Sequence, residues 1–263
     1  MRILFLGDIV GRPGRAAVKK RLAALRADCA ADVVLANGEN ASGGIGLSAK
    51  NARELLHLGI DALTGGNHTF KCPDLHPLLD AEPRLLRPAN LPPGAPGAGL
   101  RVLRLPGLAP LAVLNLQGRT FMAPADCPFR TADALLAALA ESDPDVRCIV
   151  ADFHAEATSE KQALGWHLDG RVSAVLGTHT HVQTSDARVL PGGTAYLTDL
   201  GMCGPRDGCL GMKRAPILRL FLTGLPARFE PATGPCVLQG ACFELDESSG
   251  RAVSVGLVHE EVS

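Results

Sequence analysis

Aromatic residues and excess charge are both scarce in this sequence of 263 residues. Phe, Tyr and Trp make up 4% of the chain, and Trp166 and Tyr196 are the single residues of their kinds. Because single-stranded nucleic acid binds on several stacked aromatic side chains, the composition excludes an extended stacking platform. The formal net charge of −1 gives no general attraction for nucleic acid, although a local basic groove is compatible with a neutral total.

We expect no signal peptide, and the sequence contains no long apolar run. The apolar residues 1–6 end at Gly7-Asp8, which is too short for a signal peptide, and no run approaches the roughly 20 residues of a membrane span. The eight cysteines contain no Cys-x-x-Cys pair and have irregular spacings, which is typical of free thiols in a reducing compartment. We therefore expect a cytoplasmic protein without a membrane partner and without a disulfide framework.

Strand and helix patterns alternate over the first two-thirds of the chain, and 46% hydrophobic residues are enough for a sizeable core. We expect one domain that spans residues 1–263. The predicted strands cover residues 2–7, 32–36, 60–64, 100–105, 111–116, 147–153, 172–177 and 194–198. The predicted helices cover residues 15–26, 48–58, 74–80, 131–140 and 158–167.

The last part of the chain changes to β-rich alternation without clear helical spacing. It predicts strands at residues 217–223, 236–245 and 252–259, with a hairpin turn at residues 246–250. Strand–helix alternation followed by strand pairs predicts an α/β fold in which two mixed β-sheets pack face to face with helices outside.

Residue types that bind metal ions follow the apolar strands, each in a turn rich in Gly or Asn. Four strands end in such residues and a fifth leads into two histidines; the set is Asp8, Glu39, Asn67, His68, His154, His179 and His181. Because ligand sites in α/β sheets form at the carboxyl ends of the strands, we expect these distant residues to converge on one edge.

Such a set is typical of a two-metal centre. Two ions about 3.5–4 Å apart can hold the attacking and the leaving oxygen of an in-line displacement, and one carboxylate must bridge them. Mixed imidazole and oxygen ligands suit Fe, Mn or Zn better than Mg or Ca. The charges of two carboxylates do not neutralise those of two divalent ions, so the site has a net positive charge. This charge favours an anionic substrate such as a phosphate ester.

The order of the motifs resembles that of the calcineurin-like metallophosphoesterases. The motifs are Gly7-Asp8, Gly38-Glu39-Asn40, Gly66-Asn67-His68, Phe153-His154 and Gly177-Thr178-His179-Thr180-His181. Three longer segments, residues 7–14, 36–41 and 198–204, resemble the YmdB family of bacterial phosphodiesterases within that superfamily. Val10 replaces the histidine usual in the first motif, and Glu39 replaces the usual bridging aspartate; the YmdB family shares both differences.

The resemblance implies a four-layer metallophosphoesterase sandwich and a role for each site residue. It implies that one ion is bound by Asp8, Glu39, Asn40 and His181. It implies that the other is bound by Glu39, Asn67, His154 and His179, so that Glu39 is the bridge. A hydroxide between the ions would attack phosphorus, and His68 would be the general acid that protonates the leaving oxygen. The implied substrate class is 2′,3′-cyclic nucleotides.

Two other functions stay open at this point. One is a phosphomonoesterase or protein phosphatase on the same site, and the other is a slow regulator that binds metal and a nucleotide or RNA. RNA and a second copy of the chain also remain open as partners.

Two of the site residues have alternative roles. Asn40 also suits a turn, and His68 could instead orient its neighbour. Five further residues lie outside the strand-end pattern and are predicted to have no chemical role: His57, His76, His167, His259 and the thiol of Cys203.

Overall fold

The computed structural model describes residues 1–263 and contains thirteen strands and six α-helices, with a 3-10 turn at Pro73–Leu75. The strands are β1 Arg2–Leu6, β2 Asp8–Ile9, β3 Val33–Asn37, β4 Ala62–Thr64, β5 Leu100–Leu103, β6 Leu111–Gln117, β7 Cys148–His154, β8 Ala174–Thr178, β9 Arg188–Val189, β10 Ala195–Leu197, β11 Met202–Pro205, β12 Cys236–Leu245 and β13 Ala252–Val262. The helices are α1 Gly11–Asp28, α2 Ala49–His57, α3 His76–Ala81, α4 Pro128–Ser142, α5 Thr158–Leu168 and α6 Arg214–Thr223.

The strands form two mixed sheets. The seven-stranded sheet has the order β2-β11-β12-β1-β3-β4, and β13 pairs with β12 outside this path. Since β13 pairs along the whole of β12, strands β11 and β1 share the other edge of β12, one after the other. The six-stranded sheet has the order β5-β6-β7-β8-β10-β9, with parallel pairing from β6 through β10. The predicted α/β fold with two mixed sheets is therefore confirmed.

Strand β1 shows why the sheets are covered on both faces. Ile3 and Phe5 point to one face while Leu4 and Leu6 point to the other, and all four are fully buried. Ile3 and Phe5 belong to a cluster of 20 buried residues between the sheets. Leu4 and Leu6 belong to a cluster of 25 buried residues beneath α1 and α2. A third cluster of 15 packs the other sheet against α4 and α5, so the layers run helix, sheet, sheet, helix.

The predicted strand at residues 217–223 is wrong, because helix α6 occupies Arg214–Thr223. No residue of α6 is buried, so no sheet neighbour selects an extended conformation, and its leucines favour a helix locally. Pro216 lies in the first turn, where a helix does not need its N–H. Gly224 ends the helix with a left-handed φ of 69°.

None of the helices combines the length and the apolar character that crossing a membrane requires.

The sequence patterns missed β2, β9 and β11 as separate strands. Each contains only two to four residues, which is too few to show a periodicity.

All eight cysteines are free. Burial raises the pKa of the Cys203 thiol in β11 to about 12, which favours the protonated thiol over the nucleophilic thiolate at neutral pH.

We expect Phe5→Ala to destabilise the protein strongly, because the ring is fully buried between the two sheets. Loss of a buried aromatic ring typically costs about 3–5 kcal/mol of unfolding free energy. Urea unfolding of the variant measures this loss. Phe221→Ala is the matched control, since Phe221 is 82% exposed and its loss should change stability by less than about 0.5 kcal/mol. Equal losses in the two variants would contradict the position of Phe5 in the core.

Candidate metal centre

The predicted ligands lie where the carboxyl-terminal strand ends of the two sheets meet. The seven-stranded sheet and the loops after β3 and β4 carry Asp8, Glu39, Asn40, Asn67 and His68. The end of β7 and the loop after β8 in the six-stranded sheet carry His154, His179 and His181. The hydrogen-bond and ion-pair contacts described below connect all eight, so the structure brings the whole predicted set together.

The first group of ligand atoms surrounds His154. The Nε2 atom of His154 lies 2.9 Å from Asn67 Oδ1, 3.0 Å from His179 Nδ1 and 3.1 Å from Glu39 Oε1. A single ring nitrogen can carry one proton and make one good hydrogen bond, so hydrogen bonding alone does not explain three close partners. The ligand atoms of Glu39, His154 and His179 all lie within 4.8 Å of one another. These converging donors fit a transition-metal ion.

The second group contains Asp8, Asn40, His181 and again Glu39. The Asn40 Nδ2 atom lies 3.3 Å from Asp8 Oδ1, 3.2 Å from Glu39 Oε1 and 3.2 Å from His181 Nε2. The amide nitrogen of Asn40 therefore faces the group, and a half-turn of the amide would present its oxygen as a ligand. Glu39 Oε1 is the atom common to both groups.

His154 is oriented by a pair of polar residues that the sequence patterns did not single out. Its Nδ1 lies 2.9 Å from Thr178 Oγ1, and that hydroxyl donates a hydrogen bond of 2.7 Å to Asp152 Oδ1. The hydroxyl oxygen can therefore accept a hydrogen bond from Nδ1–H, which leaves the Nε2 lone pair for a metal ion. Asp152 precedes His154 by two residues, so the two side chains share one face of β7, and this spacing was the available signal.

The other two histidines are oriented in the same manner. His179 Nε2 lies 3.2 Å from Glu156 Oε2, and His181 Nδ1 lies 3.1 Å from the carbonyl oxygen of Leu210. Each contact occupies the ring nitrogen that faces away from the other ligands. Leu210 could not be found by sequence reasoning because it contributes only a backbone oxygen.

The backbone of the histidine loop is strained and firmly held. His179 has φ of 103° and His181 has φ of 61°, a region that side chains other than glycine rarely adopt. Asp199, buried and paired with Lys161, accepts a hydrogen bond of 3.1 Å from the backbone N–H of Thr180 between them. The ion pair thus stabilises a loop conformation that directs both imidazoles toward the seven-stranded sheet.

Gly66 shows how closely the ligands approach. A Cβ atom at this position would overlap both Glu39 Oε2 and the ring of His154. The separations would be far shorter than van der Waals contact, so only glycine leaves room for both side chains. The Gly-Asn-His turn therefore carries Asn67 and His68 into the site without displacing the first ligand group.

The buried charges shift one another's pKa values. Burial opposes protonation of His154, but the carboxylates of Glu39 and Asp8 prevail and raise its pKa to about 9. Burial and the positive charge of His154 lower the pKa of His179 to about 4. Burial also opposes ionisation of Glu39, but His154 and His68 hold the pKa of that carboxyl well below its usual value. Burial raises the pKa of Asp152 to about 6.

His68 lies at the open side of the two groups, with 27% of its side chain exposed. Its backbone N–H donates a hydrogen bond of 2.9 Å to Glu39 Oε2. Its ring Nδ1 lies 2.8 Å from Asn40 Oδ1 and 3.2 Å from Glu39 Oε1. These contacts fix the ring through Nδ1, and Nε2 has no hydrogen-bond partner in the protein.

The four histidines that were predicted to have no chemical role lie outside the ligand groups. His76 contacts the carbonyl oxygen of Phe70, His167 contacts Asp133, and His259 contacts Gln239. His57 is exposed at the end of α2. None of the four histidines joins the ligand groups.

We expect the metal affinity of metal-free protein to rise with pH up to about 9. Below that pH His154 carries a proton that a metal ion must displace, and each displaced proton changes the affinity about tenfold per pH unit. Burial opposes protonation of His181, but Asp8 raises its pKa, so His181 also contributes to the release of protons. His179, with a pKa of about 4, is already neutral across this range and releases none. Calorimetric titration with Mn²⁺ in buffers of different ionisation enthalpy measures the released proton. His57→Ala should retain the release, and an affinity that does not change between about pH 6 and pH 9 would contradict the assignment.

Two characterised or named relatives match nearly the whole chain in sequence. A 2′,3′-cyclic-nucleotide 2′-phosphodiesterase of Bacillus subtilis (strain 168) is 51% identical over 255 residues, which are 97% of this chain and 95% of the relative. A putative phosphatase/phosphodiesterase of Mycoplasma pneumoniae is 36% identical over 262 residues, which are 96% of this chain and 90% of the relative.

Two solved structures share the fold. A hypothetical protein from Thermus thermophilus superposes with a TM-score of 0.92 at 42% identity, covering 99% of both chains. A novel phosphatase from Mycoplasma pneumoniae also has a TM-score of 0.92, at 34% identity, covering 99% of this chain and 93% of that one. The predicted metallophosphoesterase sandwich is therefore confirmed. Since the family described as YmdB-like protein matches residues 4–258, the chain belongs to the YmdB-like family.

Proposed function

We propose that this chain is a metal-dependent phosphoric diester hydrolase that acts on 2′,3′-cyclic nucleotides. The observation that carries the proposal is the shared position of Glu39, whose Oε1 lies 3.1 Å from His154 Nε2 and 3.2 Å from Asn40 Nδ2. A carboxylate between two sets of ligands is what a pair of bridged ions requires. The activity for which the Bacillus subtilis relative is named supports the choice of a cyclic nucleotide.

Two ions would be held by the predicted ligands Asp8, Glu39, Asn40, Asn67, His154, His179 and His181. The mixture of imidazole, carboxylate and amide donors suits Fe or Mn, and Zn is also compatible. When bound, the ions would polarise the phosphoryl oxygens and make water a better nucleophile near neutral pH. The three histidine rings are oriented by Thr178, Glu156 and the Leu210 carbonyl, so these rings need not turn to bind the metal.

His68 supplies the proton in this proposal. Its Nδ1 lies 2.8 Å from Asn40 Oδ1 and 3.2 Å from Glu39 Oε1, and these contacts leave Nε2 free to face a substrate. The free Nε2 is then able to donate its proton to the ribose oxygen that leaves phosphorus. The ring becomes neutral and retains the Nδ1 proton, while the opened ester leaves as a nucleoside monophosphate.

A second candidate is hydrolysis of phosphate monoesters, because the Mycoplasma pneumoniae relative is named as a phosphatase/phosphodiesterase. The same ligands and the same acid would serve a monoester. Only the relative rates on the two substrate classes distinguish the candidates.

We expect metal-loaded protein to hydrolyse 2′,3′-cyclic nucleotides with a higher kcat/KM than linear diesters or monoesters. A panel of these three classes, assayed on one preparation, measures this order.

The metal content of the same preparation tests the number of ions. Elemental analysis should approach two metal equivalents per chain, and a plateau at one would contradict the dinuclear proposal. Faster turnover of monoesters would favour the phosphatase. Two bound ions without turnover of any class would favour a regulator that binds its ligand and does not hydrolyse it.

We expect His68→Ala to lose about 10²–10⁴-fold in kcat on a cyclic nucleotide while keeping its metal content, because a general acid typically contributes that much. The loss should shrink on a nitrophenyl diester, whose leaving group departs without a proton. Rates on both substrates and metal content are measured together. His57→Ala, which changes an exposed histidine, should stay within about twofold of the unaltered protein. An equal loss on the two substrates would remove His68 from the role of acid.

A further inference from the structure

An exposed phenylalanine lies three residues after a backbone contact with His154, one of the predicted metal ligands. Strand β6 ends at Gln117, the register partner of His154, and Gly118 donates its backbone N–H to the His154 carbonyl oxygen at 2.9 Å. Phe121 follows three residues later, so its Cα lies within about 11 Å of the Gly118 Cα. The Phe121 side chain is 89% exposed, the largest exposed fraction of any large apolar residue in the chain.

The turn holds this ring in solvent at an energetic cost. Phe121 has φ of 61°, in the left-handed region that disfavours side chains. Glu160 Oε2 accepts hydrogen bonds of 3.1 Å from the backbone N–H groups of Arg119 and Thr120, and Met122 N–H donates to the Arg119 carbonyl oxygen at 3.2 Å. Neither the strained backbone nor the exposed ring contributes to folding, so the conformation needs another explanation.

The remainder of the loop is anchored as well. Asn90 Nδ2 donates to the carbonyl oxygens of Gln117 at 2.7 Å and Asp126 at 2.8 Å, and so ties the two ends of the loop together. Asp126 N–H in turn donates to the Asn90 carbonyl oxygen at 2.9 Å. A ring on such a fixed loop loses little entropy on binding a ligand, which is the condition for a preorganised contact.

The chemistry of the turn fits a nucleotide. Aromatic side chains stack on nucleobases, and this contact tolerates every base because each has a flat π-face. Arg119, two residues before Phe121, is exposed, and its guanidinium has no hydrogen-bond or ion-pair partner in the protein. Arg119 and Thr120 make the turn polar around the ring, whereas a protein-docking surface would need a wider apolar patch.

We propose that Phe121 stacks on the base of a nucleotide whose phosphate lies at the metal centre, and that it makes the site selective for nucleotides over base-free phosphate esters. This inference rests on the proposed function, because it assumes that the ligand of the metal centre is a nucleotide. Phe121 is then a specificity-determining residue that contacts the part of the substrate remote from the reacting phosphorus. Purines, which offer a larger face, should gain more from this contact than pyrimidines.

Binding measurements test the proposal directly. Adenosine 3′-monophosphate and inorganic phosphate are titrated by calorimetry into metal-loaded protein, before and after Phe121→Ala. Loss of one base–aromatic stack should weaken nucleotide binding at least about fivefold. The affinity for inorganic phosphate should stay within about twofold, because that probe has no base. Phe121→Trp, which keeps a stacking ring, should restore nucleotide binding.

Phe221→Ala is the matched control, since Phe221 is a similarly exposed phenylalanine, at 82%, on the outer helix α6. It should change neither affinity, and melting curves should show that both variants remain folded. An unchanged nucleotide affinity in Phe121→Ala would overturn the proposal. So would an equal loss for nucleotide and inorganic phosphate, or failure of Phe121→Trp to restore binding.

Kinetics on adenosine 2′,3′-cyclic phosphate separate this inference from the proposed function. In Phe121→Ala we expect KM to rise at least about fivefold while kcat stays within about twofold, because the ring does not touch the reacting atoms. If the unaltered protein fails to hydrolyse the cyclic ester but still loses nucleotide affinity in Phe121→Ala, the proposed function fails and the stacking contact stands. If turnover is observed and Phe121→Ala leaves KM unchanged, the stacking contact fails and the proposed function stands.

Discussion

The Asp152 carboxylate joins the two sheets directly beneath the ligand cluster, and the geometry of the site depends on this contact. One oxygen accepts hydrogen bonds from Asn37 and Thr64 of the seven-stranded sheet. The other accepts the hydroxyl of Thr178 in the six-stranded sheet, which also contacts His154. A buried carboxylate is stable only when such donors surround it, so the strand ends of both sheets are held at a fixed separation. Glu39 and His154, which lie on opposite sheets, therefore meet at 3.1 Å.

Backbone strain is concentrated around the same region. Five residues other than glycine have a positive φ, and three of them are site residues or contact one: His179, His181 and Leu210. A fourth, Phe121, lies in the turn after β6. Such conformations cost about 1–3 kcal/mol each and persist only where the surrounding structure fixes them. Here Asp199 holds the histidine loop, and Glu160 holds the turn of Phe121. The rest of the fold, with its three large apolar clusters, stabilises a site that is unfavourable on its own.

Much of the architecture could be predicted because it depends on local patterns. The continuous apolar runs of β1, β3 and β7 and the helical spacing of apolar residues in α1 are readable within a few residues. Helix α6 could not be predicted from alternation, because none of its residues is buried and no face is selected by packing. The single domain over residues 1–263 stays a prediction. The roles of the individual ligands also stay predictions, although their side chains are adjacent.

The sequence by itself determined which residue types follow each strand, since a strand followed by a Gly-rich turn is a local feature. Only the tertiary structure decided how these residues meet: Asp8 and His179, in contact at 3.1 Å, are 171 positions apart. It likewise decided that Glu39 is shared between two groups and that Thr178, Glu156 and the Leu210 carbonyl orient the histidines. The reason is physical. Side-chain type and strand period are encoded within short segments, whereas distances and hydrogen-bond partners depend on how two sheets pack across one buried core.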